Sequence, residues 1–390
     1  MSILTHERQI LNALVPGLDA TLAGEDLQSL EQPSGVALRH FREAHGPALL
    51  IPKACGGIGA SALEAVWAQC ALAARSPSLG VATTMHHFSV ATLVQYSLFD
   101  ASGEALLSAI AGDRLLVASG FAEGRPGATI LEAQMTARWN GEGYTVDGSK
   151  KPCSLSRSMQ ILSAGVTIVR KGKPDRRGVA ILLAGTPGIE RKPFWNTPIL
   201  AGAESDELVV RDVKVSADQV IESGDDAQLG LVELGGFCWF TLLISATYLG
   251  IAGALIERAL GVEHATPESR VALSIEMEGA MSALEGLSAR IERGPMTPAL
   301  LRQAASVRYA IQAAIERATD RAVEMLGGLA FIRSPDVSYL LACSRALAFH
   351  PPQRRAMLHE LDAALRTNGV VPAASSAAEA AARHAPNMSL

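Results

Sequence analysis

The sequence predicts an α+β protein in which a helical N-terminal part, a mostly antiparallel β part and a helical C-terminal part follow one another. Apolar residues recur every three or four positions up to about residue 111, alternating segments run from about 115 to 215, and the helical period returns after residue 224. We therefore place domain boundaries at 1–114, 115–224 and 225–368, and expect a partly disordered, small-residue tail at 369–390.

Turn signals separate the elements of the first two parts. Residues 62–69 (ALEAVWAQ) have helical spacing, and the glycine-rich residues 51–60 before them predict a turn. Ser61 is placed to cap the helix that follows this turn. In the β part, residues 140–143 (NGEG) predict a hairpin between two strands.

The C-terminal part is predicted to consist of long helices over about 229–261, 270–293, 298–326 and 337–348, with a last helix after two prolines. Residues 234–256 carry no charge, and this segment is long enough to span a bilayer. This stretch also contains glycine, serine, threonine and tyrosine, and it is the only such segment in the sequence. We interpret it as the core helix of a protein that spans no membrane.

The composition of the sequence argues against some classes of function and favours others. Apolar residues make up 48% of the 390-residue chain and mean hydropathy is +0.21, so we expect apolar surface to be buried between subunits of an oligomer. The net charge of -5 comes without a basic cluster, which argues against nucleic acid and favours a small-molecule partner. Five scattered cysteines without a CxxC pair, and the lack of a secretory signal, predict a cytoplasmic protein; we predict no metal site.

Five segments, in their shared order and spacing, resemble the acyl-CoA dehydrogenase superfamily. The resemblance extends from about residue 39 to 361, and no single segment carries it. The segments are residues 50–59 (LIPKACGGIG), 120–128 (GFAEGRPGA), 141–154 (GEGYTVDGSKKPCS), 204–216 (ESDELVVRDVKVS) and 323–331 (VEMLGGLAF).

The resemblance implies a flavin, FAD with FMN possible, held between the β part and a C-terminal four-helix bundle. It implies a homotetramer or dimer and an acyl thioester substrate carried by CoA or a carrier protein. The hydride acceptor in such chemistry must be a cofactor, because no side chain provides one. The residues that the resemblance places at the flavin are Phe121, Ala122, Glu123, Gly127, Pro152, Cys153 and Ser154, with Glu324, Gly327 and Gly328 touching the cofactor of a neighbouring subunit.

Several family side chains are replaced in this sequence. The threonine, proline and serine of the family's flavin segment are Ala122, Gly124 and Ala128, and its stacking tryptophan corresponds to Pro152. The family's arginine segment at the pyrophosphate of FAD is replaced by residues 266–273 (TPESRVAL), where Arg270 is the candidate substitute. The choice between FAD and FMN therefore stays open.

The catalytic carboxylate of the family is missing at both positions where relatives carry it. Dehydrogenation of an acyl thioester needs a carboxylate that removes the α-proton. The C-terminal position falls in residues 345–354 (RALAFHPPQR), and the alternative position in the first long C-terminal helix reads CWFT at 238–241. Glu233 and His350 are the candidate substitutes, although we interpret Glu233 first as a solvated residue of an early helical turn and His350 as a turn residue.

His86 and His87 lie on the helix that lines the pocket in relatives, and Ser154 takes the place of a flavin-facing threonine. In oxygenating relatives, a histidine from this helix and a serine at that position stabilise a flavin hydroperoxide. Adjacent helical residues point about 100° apart, so only one of the two histidines can face the flavin. The alternatives are a histidine bonded to backbone groups and a serine with a local backbone bond.

Three functional hypotheses follow. The first is a flavin-dependent oxidoreductase that performs an unusual oxidation or oxygenation of a bound acyl or aromatic group. The second is an ordinary acyl thioester dehydrogenase with a relocated base, and the third is an inactive scaffold subunit. The missing carboxylates argue against the second hypothesis, while Ser154 and the histidine pair favour the first over the third.

Overall fold

The N-terminal part is helical. The computed structural model describes residues 2–124, 133–223 and 227–366, without the side chains of 223 and 227–229. Ser61 caps a helix through a capping box with Glu64, as the sequence predicts, and Ser76 caps the next helix. The helices are α1 (Thr5–Leu14), α2 (Leu18–Ala23), α3 (Leu27–Leu30), α4 (Val36–Glu43), α5 (Ala62–Arg75), α6 (Pro77–Ser97) and α7 (Ser102–Asp113).

One mixed sheet follows, in the order β6-β7-β3-β2-β4-β5-β8, with β1 also paired to β4. Most pairs are antiparallel, as predicted, but β1 and β2 both run parallel to β4. The hairpin at residues 140–143 joins β2 to β3, where the Asn140 side chain accepts backbone N–H groups of the turn. The strands are β1 (Val117–Gly120), β2 (Thr136–Trp139), β3 (Gly143–Cys153), β4 (Ile161–Val169), β5 (Arg176–Leu183), β6 (Ile189–Lys192), β7 (Asp206–Ser216) and β8 (Val220–Ser223).

The C-terminal part returns to helices. Gly327 interrupts the third of them with a φ of 78°, which matches the helix end predicted at 326 and favours glycine. The helices are α8 (Ala227–Leu260), α9 (Pro267–Arg293), α10 (Pro298–Arg333) and α11 (Pro335–Ser344), followed by a 3-10 turn (Arg345–Phe349) and α12 (Arg354–Arg366). The predicted fourth helix therefore ends earlier than 348 and continues as the 3-10 turn.

Helix α8 is the centre of the core. Its segment Gly230–Leu260 is long and apolar enough to cross a membrane, but 94% of its most apolar window is buried inside the protein, so the interpretation as a core helix is confirmed. It packs against α5, α6, α9 and α10. Gly250 permits the contact with α5, because a Cβ at that position would lie 2.1 Å from the carbonyl oxygen of Cys70.

The N-terminal helices, the sheet and helices α8 to α11 belong to one compact unit, Met1–Pro351. Helix α12 belongs to a second unit that begins at Pro352. The boundaries at 114 and 224 match the change from helix to strand and back, but separate domains at those boundaries stay a prediction.

Candidate active site

A cavity of about 350 Å³ lies between the sheet and helices α6 and α8. Its volume is in the range of small-molecule sites, and its walls are mostly apolar. The walls come from α6, strands β1, β4, β5 and β8, the loops after β3 and β6, α8, and the residues around the 3-10 turn. The two sides of this cavity have different chemistry.

The side formed by the sheet and its loops carries hydroxyl groups. Ser119 and Ser163 are paired in the parallel register of β1 and β4, so both side chains face the cavity. After β3, the Ser154 hydroxyl lies 3.0 Å from that of Ser205, just before β7. Gly165 allows the Phe121 ring to pack closely against the backbone of β4. A Cβ at position 165 would lie 3.1 Å from that ring.

The helical side is mostly apolar, and Glu233 is its one carboxylate among the described residues. Glu233, Gly236, Phe237 and Phe240 line the cavity at the i, i+3, i+4 and i+7 positions of α8, which places them on one helix face. Phe240 packs edge-on against Phe88 of α6 with ring centroids 5.3 Å apart. An apolar substrate group is therefore accommodated on this side.

His350 lines the cavity directly after the 3-10 turn, with its ring centroid 6.4 Å from that of Phe240. Its Nε2 is 2.7 Å from the hydroxyl of Tyr248, a residue with no solvent exposure whose hydroxyl has no other hydrogen-bond partner among the described residues. Because an unpaired hydroxyl would be costly there, Tyr248 is assigned as the donor to Nε2. The proton of a neutral His350 then lies on Nδ1.

A buried arginine fixes the His350 turn. The Arg308 guanidinium is 1% exposed and donates to the backbone carbonyls of Leu347 (3.1 Å), His350 (2.5 Å) and Pro351 (2.9 Å). Burial and, as the smaller cause, the positive charge of Arg308 together lower the pKa of His350 to about 3. His350 is therefore neutral at pH 7 and is a weak base. Its preferred interpretation as only a turn residue is incomplete, because the imidazole also lines the cavity.

Glu233 is half-buried on the cavity wall with 29% of its side chain exposed, so its interpretation as only a solvated residue is incomplete. The carboxylate Oε1 lies 3.5 Å from Nη1 of Arg177 on β5. Burial raises the pKa of Glu233, while Arg177 opposes that shift. The physical reason for the difference is that the helix begins at residue 227, which puts Glu233 beyond its first turn and on the face that carries Phe237 and Phe240.

His86 and His87 have no solvent exposure, and neither lines the cavity. His86 Nε2 is 2.9 Å from the carbonyl of Pro47, and its Nδ1 accepts the N–H of Val117 at 3.1 Å. His87 Nδ1 is 3.0 Å from Oε1 of Gln69. The expectation that one of the pair faces the flavin is therefore wrong, because the cavity face of α6 consists of neighbouring residues, among them Met85, Phe88, Ser89 and Thr92.

The residues predicted to bind the cofactor divide into two groups. Phe121, Ala122, Pro152 and Ser154 line the cavity. Glu123 and Cys153 do not: Glu123 forms a buried ion pair with Lys150, and the fully buried Cys153 thiol lies 3.5 Å from the carbonyl of Ser119. Gly127 and Ala128 lie outside the described residues.

The four residues predicted to reach a cofactor across a subunit interface lie away from this cavity. Arg270 donates to the carbonyl of Ala265 at 2.5 Å, Glu324 is exposed, and Gly327 and Gly328 lie at the interruption of α10. Their contact with the cofactor of a neighbouring subunit stays a prediction. Among the described residues, no group of three histidine, cysteine or acidic side chains comes together as a metal site.

The chain was compared with known proteins. No protein-family model matches it. It is 38% identical over 362 residues to isobutylamine N-hydroxylase from Streptomyces viridifaciens, which covers 91% of this chain and 95% of that protein. The chain belongs to the flavin-dependent acyl-CoA dehydrogenase superfamily. Within it, the chain is a divergent, oxygenase-like flavoenzyme that lacks the usual catalytic glutamate.

Solved structures of this superfamily share the fold. The FMN-bound dibenzothiophene monooxygenase from a Paenibacillus species has a TM-score of 0.77 at 19% identity, over 93% of this chain and 98% of that one. A nitrososynthase from Micromonospora carbonacea has a TM-score of 0.77 at 18% identity, over 94% and 97% of the two chains. The predicted fold, with helical parts on either side of an antiparallel-rich sheet, is confirmed.

The cavity fits the flavin that this superfamily carries. A flavin ring needs an apolar slot and hydrogen-bonding groups along one edge, and the cavity offers apolar walls together with the hydroxyls of Ser154 and Ser205. Ala122 and Gly165 leave backbone accessible on the same side. Ser154, Phe121, Ala122 and Pro152 are the residues that would hold the ring.

Some residues of the site could hardly be recognised as site residues from the sequence. Arg177 and Ser205 stand in strand or loop segments whose facing direction becomes clear only from the sheet register. Tyr248 and Arg308 had a signal, since each is a polar side chain within an apolar helical stretch. Such a residue needs a buried partner, and here the partner is the His350 turn.

Proposed function

We propose that this chain is a flavin-dependent monooxygenase that N-hydroxylates a small, largely apolar amine. One observation carries the proposal: Phe240 belongs to the segment 238–241, where the resemblance places the catalytic glutamate of a minority of relatives, and His350 falls in the segment that carries it in most relatives. The two side chains lie together on the cavity wall. A phenyl ring and an imidazole with a pKa of about 3 do not replace a carboxylate as acceptor of an α-proton.

The amine substrate is supported by the relative and by the cavity. The relative that is 38% identical is named for the N-hydroxylation of isobutylamine. The mostly apolar cavity suits a short alkyl group, and Glu233 supplies one negative charge on its wall for a cationic substrate. The superfamily resemblance alone would instead suggest an acyl thioester of CoA or a carrier protein, and that alternative belongs in the test.

When bound, a reduced flavin supplies two electrons to dioxygen, so that one oxygen atom enters the N–H bond and the other leaves as water. The protein contributes placement. Phe237 and Phe240 would hold the alkyl group and exclude water, Ser154 and Ser205 would hold the edge of the ring, and His350 would offer its Nδ1–H as a hydrogen-bond donor in the cavity. Because His350 is neutral, it would donate such a bond without releasing its proton.

The test offers the purified chain two substrates, isobutylamine and butyryl-CoA, with NADH, a flavin reductase and either FMN or FAD. We expect the hydroxylamine of isobutylamine, with its oxygen taken from isotopically labelled dioxygen, and no enoyl product from butyryl-CoA. Release of the chromophore from the protein as purified identifies the flavin as FAD or FMN. An enoyl thioester formed without oxygen, with an artificial electron acceptor, would overturn the proposal.

We also propose that the chain forms a homotetramer or dimer in the cytoplasm. Large apolar side chains are exposed on the C-terminal helices, among them Val271 and Ile275 of α9 and Leu329 and Ile332 of α10. Exposed apolar groups of this size are typical of contacts between subunits. The oligomeric mass from light scattering tests this, and a monomer at micromolar concentration would contradict it.

A further inference from the structure

Glu233 is the only carboxylate among the described residues that line the cavity. The other ionisable groups on that wall are Arg177, Tyr96 and His350. Arg177 is the one charged group that perturbs Glu233, and the neighbouring Glu222 of β8 pairs instead with Arg170. A cationic ligand that enters the cavity therefore meets one anionic group.

Glu233 lies towards the solvent end of the cavity. The side chains of Glu233 and Arg177 are 29% and 51% exposed, whereas Phe240 is 7% exposed and Ser154 is 9% exposed. Phe240 lies seven positions after Glu233 on α8, which is roughly 10 Å along the helix at 1.5 Å per residue. Phe240 in turn contacts His350. The carboxylate thus precedes an apolar stretch of about two helical turns.

An alkylamine must lose a proton before it is hydroxylated. Its pKa is about 10, like that of a lysine side chain, so it reaches the protein as an ammonium ion. An ammonium ion has no lone pair on nitrogen, and its transfer into an apolar cavity is strongly unfavourable, whereas the neutral amine is transferred at far lower cost. The proton has to be left on a group near the mouth of the cavity.

We infer that Glu233 accepts the proton of the substrate ammonium at the mouth of the cavity, so that the neutral amine continues to the inner end. This inference rests on the proposed function. The N–H bond of the ammonium breaks, its electron pair stays on nitrogen, and an O–H bond forms on a carboxylate oxygen of Glu233. Arg177 gives way readily, because its 3.5 Å ion pair is half-exposed and weak.

Two properties of the site favour this transfer. Burial raises the pKa of Glu233, which makes the carboxylate a better proton acceptor than a solvated one. The products of the transfer are both neutral, and neutral groups are the ones that an apolar cavity accommodates. His350 is a poor acceptor in comparison, because its pKa is lowered to about 3.

Calorimetry of isobutylamine binding, in two buffers of different ionisation enthalpy, tests the inference. The flavin-loaded, oxidised protein is used without reductant, so no turnover occurs. In the wild type the proton stays on Glu233, and we expect no net proton release to the buffer and little change of affinity between pH 7 and 8. In Glu233→Gln we expect about one proton released per bound amine, and affinity that weakens about tenfold for each unit of decreasing pH.

A matched control is Glu190→Gln. Glu190 on β6 also has an arginine Nη1 at 3.4 Å, that of Arg211, but it does not line the cavity. This variant should keep the wild-type proton count and affinity. Glu233→Asp should keep the wild-type proton count with weaker affinity, and it serves in place of Glu233→Gln if the latter fails to fold.

The inference is overturned if Glu233→Gln binds isobutylamine with wild-type affinity and without proton release. It is also overturned if a trimethylated isobutylammonium, which has no proton to transfer, binds the wild type as tightly as isobutylamine does. These outcomes are distinct from failure of the proposed function. If the proposed function alone fails, the wild type shows the expected proton count but forms no hydroxylamine when reduced flavin and dioxygen are supplied.

Discussion

Helix α6 holds fully buried histidines and the turn after α11 holds a half-buried one, and the surroundings of the imidazole differ between the two regions. Both ring nitrogens of His86 are bonded to backbone, on Pro47 and Val117. His350 is bonded at Nε2 alone, by Tyr248, and it lines the cavity. The difference teaches that residue type alone does not show which histidine meets the cavity, because the partners of the two ring nitrogens are set by the tertiary structure.

The same physical cause keeps both imidazoles neutral. Burial lowers the pKa of His86 to about 4 and that of His350 to about 3. For His86 the bond to the Pro47 carbonyl partly opposes the shift, whereas for His350 the nearby Arg308 adds to it. The neutral imidazole of His86 therefore connects loop, helix and strand, whereas that of His350 lines the cavity.

The largest expected effect is on turnover in His350→Phe. The change removes a hydrogen-bond donor from a cavity where negative charge develops on oxygen, and such a loss costs about a hundredfold in rate. We expect hydroxylamine formation to fall by about that factor while the flavin consumes NADH and releases hydrogen peroxide. The measurement is product formed per NADH oxidised, with peroxide quantified in parallel.

Tyr248→Phe is the control for this effect. It leaves the His350 imidazole in place but removes the donor that fixes its tautomer, so it should reduce turnover less than His350→Phe does. Arg308 is unsuitable as a control, because its loss would free three backbone carbonyls of the turn. Wild-type product yield in His350→Phe would contradict the role we give to this histidine.

A smaller effect, on stability and not on chemistry, is expected for His86→Phe. The change leaves the buried Val117 N–H and Pro47 carbonyl without their partner, at about 1–3 kcal/mol for each group. We expect the free energy of unfolding from a urea titration to fall by at least about 2 kcal/mol. The folded fraction should turn over amine at the wild-type rate per bound flavin. If His86→Phe instead releases uncoupled hydrogen peroxide, His86 acts in the active site and the prediction is wrong.

Much of the fold could be predicted from periodicity. The order of helix, strand and helix, the capping by Ser61 and the end of a helix at Gly327 each depend on local sequence, and the structure has them where they were predicted. The parallel pairing of β1 and β2 with β4 was not predictable, because it depends on contacts between segments distant in sequence.

The candidate site was only partly predictable, for a related reason. Apolar and polar residues are mixed around helix α6, so periodicity gives no indication of which face meets the cavity and which meets the loop at Pro47. Ser154 and Phe121, which the motif resemblance assigned to the flavin, line the cavity, and their contact with a flavin stays a prediction. It could not place Glu233 or its partner Arg177, since their approach depends on how α8 packs over β5 and β8.

The smallest expected effect concerns pH. As pH falls, the free energy of unfolding should decrease while the turnover number stays constant. In the unfolded chain a histidine takes up a proton near pH 6.5, whereas folded His86 does so only near pH 4 and His350 near pH 3. The unfolded state therefore binds more protons in this interval. Stability is fully present above pH 6.5 and is lost as pH falls through the interval, by about 1.4 kcal/mol for each of these residues at pH 5.5.

Turnover should not follow that loss. Because His350 stays neutral down to about pH 3, the turnover number at saturating amine should show no histidine titration between pH 5.5 and 7.5, as long as the protein is folded. The measurements are urea titrations and product rates at pH 5.5, 6.5 and 7.5. In His86→Phe the fall in stability between pH 7.5 and 5.5 should be smaller by about 1.4 kcal/mol, because one titrating group has been removed. A histidine-like inflection in turnover near pH 6.5 would show that the cavity histidine is solvated, and the comparison between the two regions would then fail.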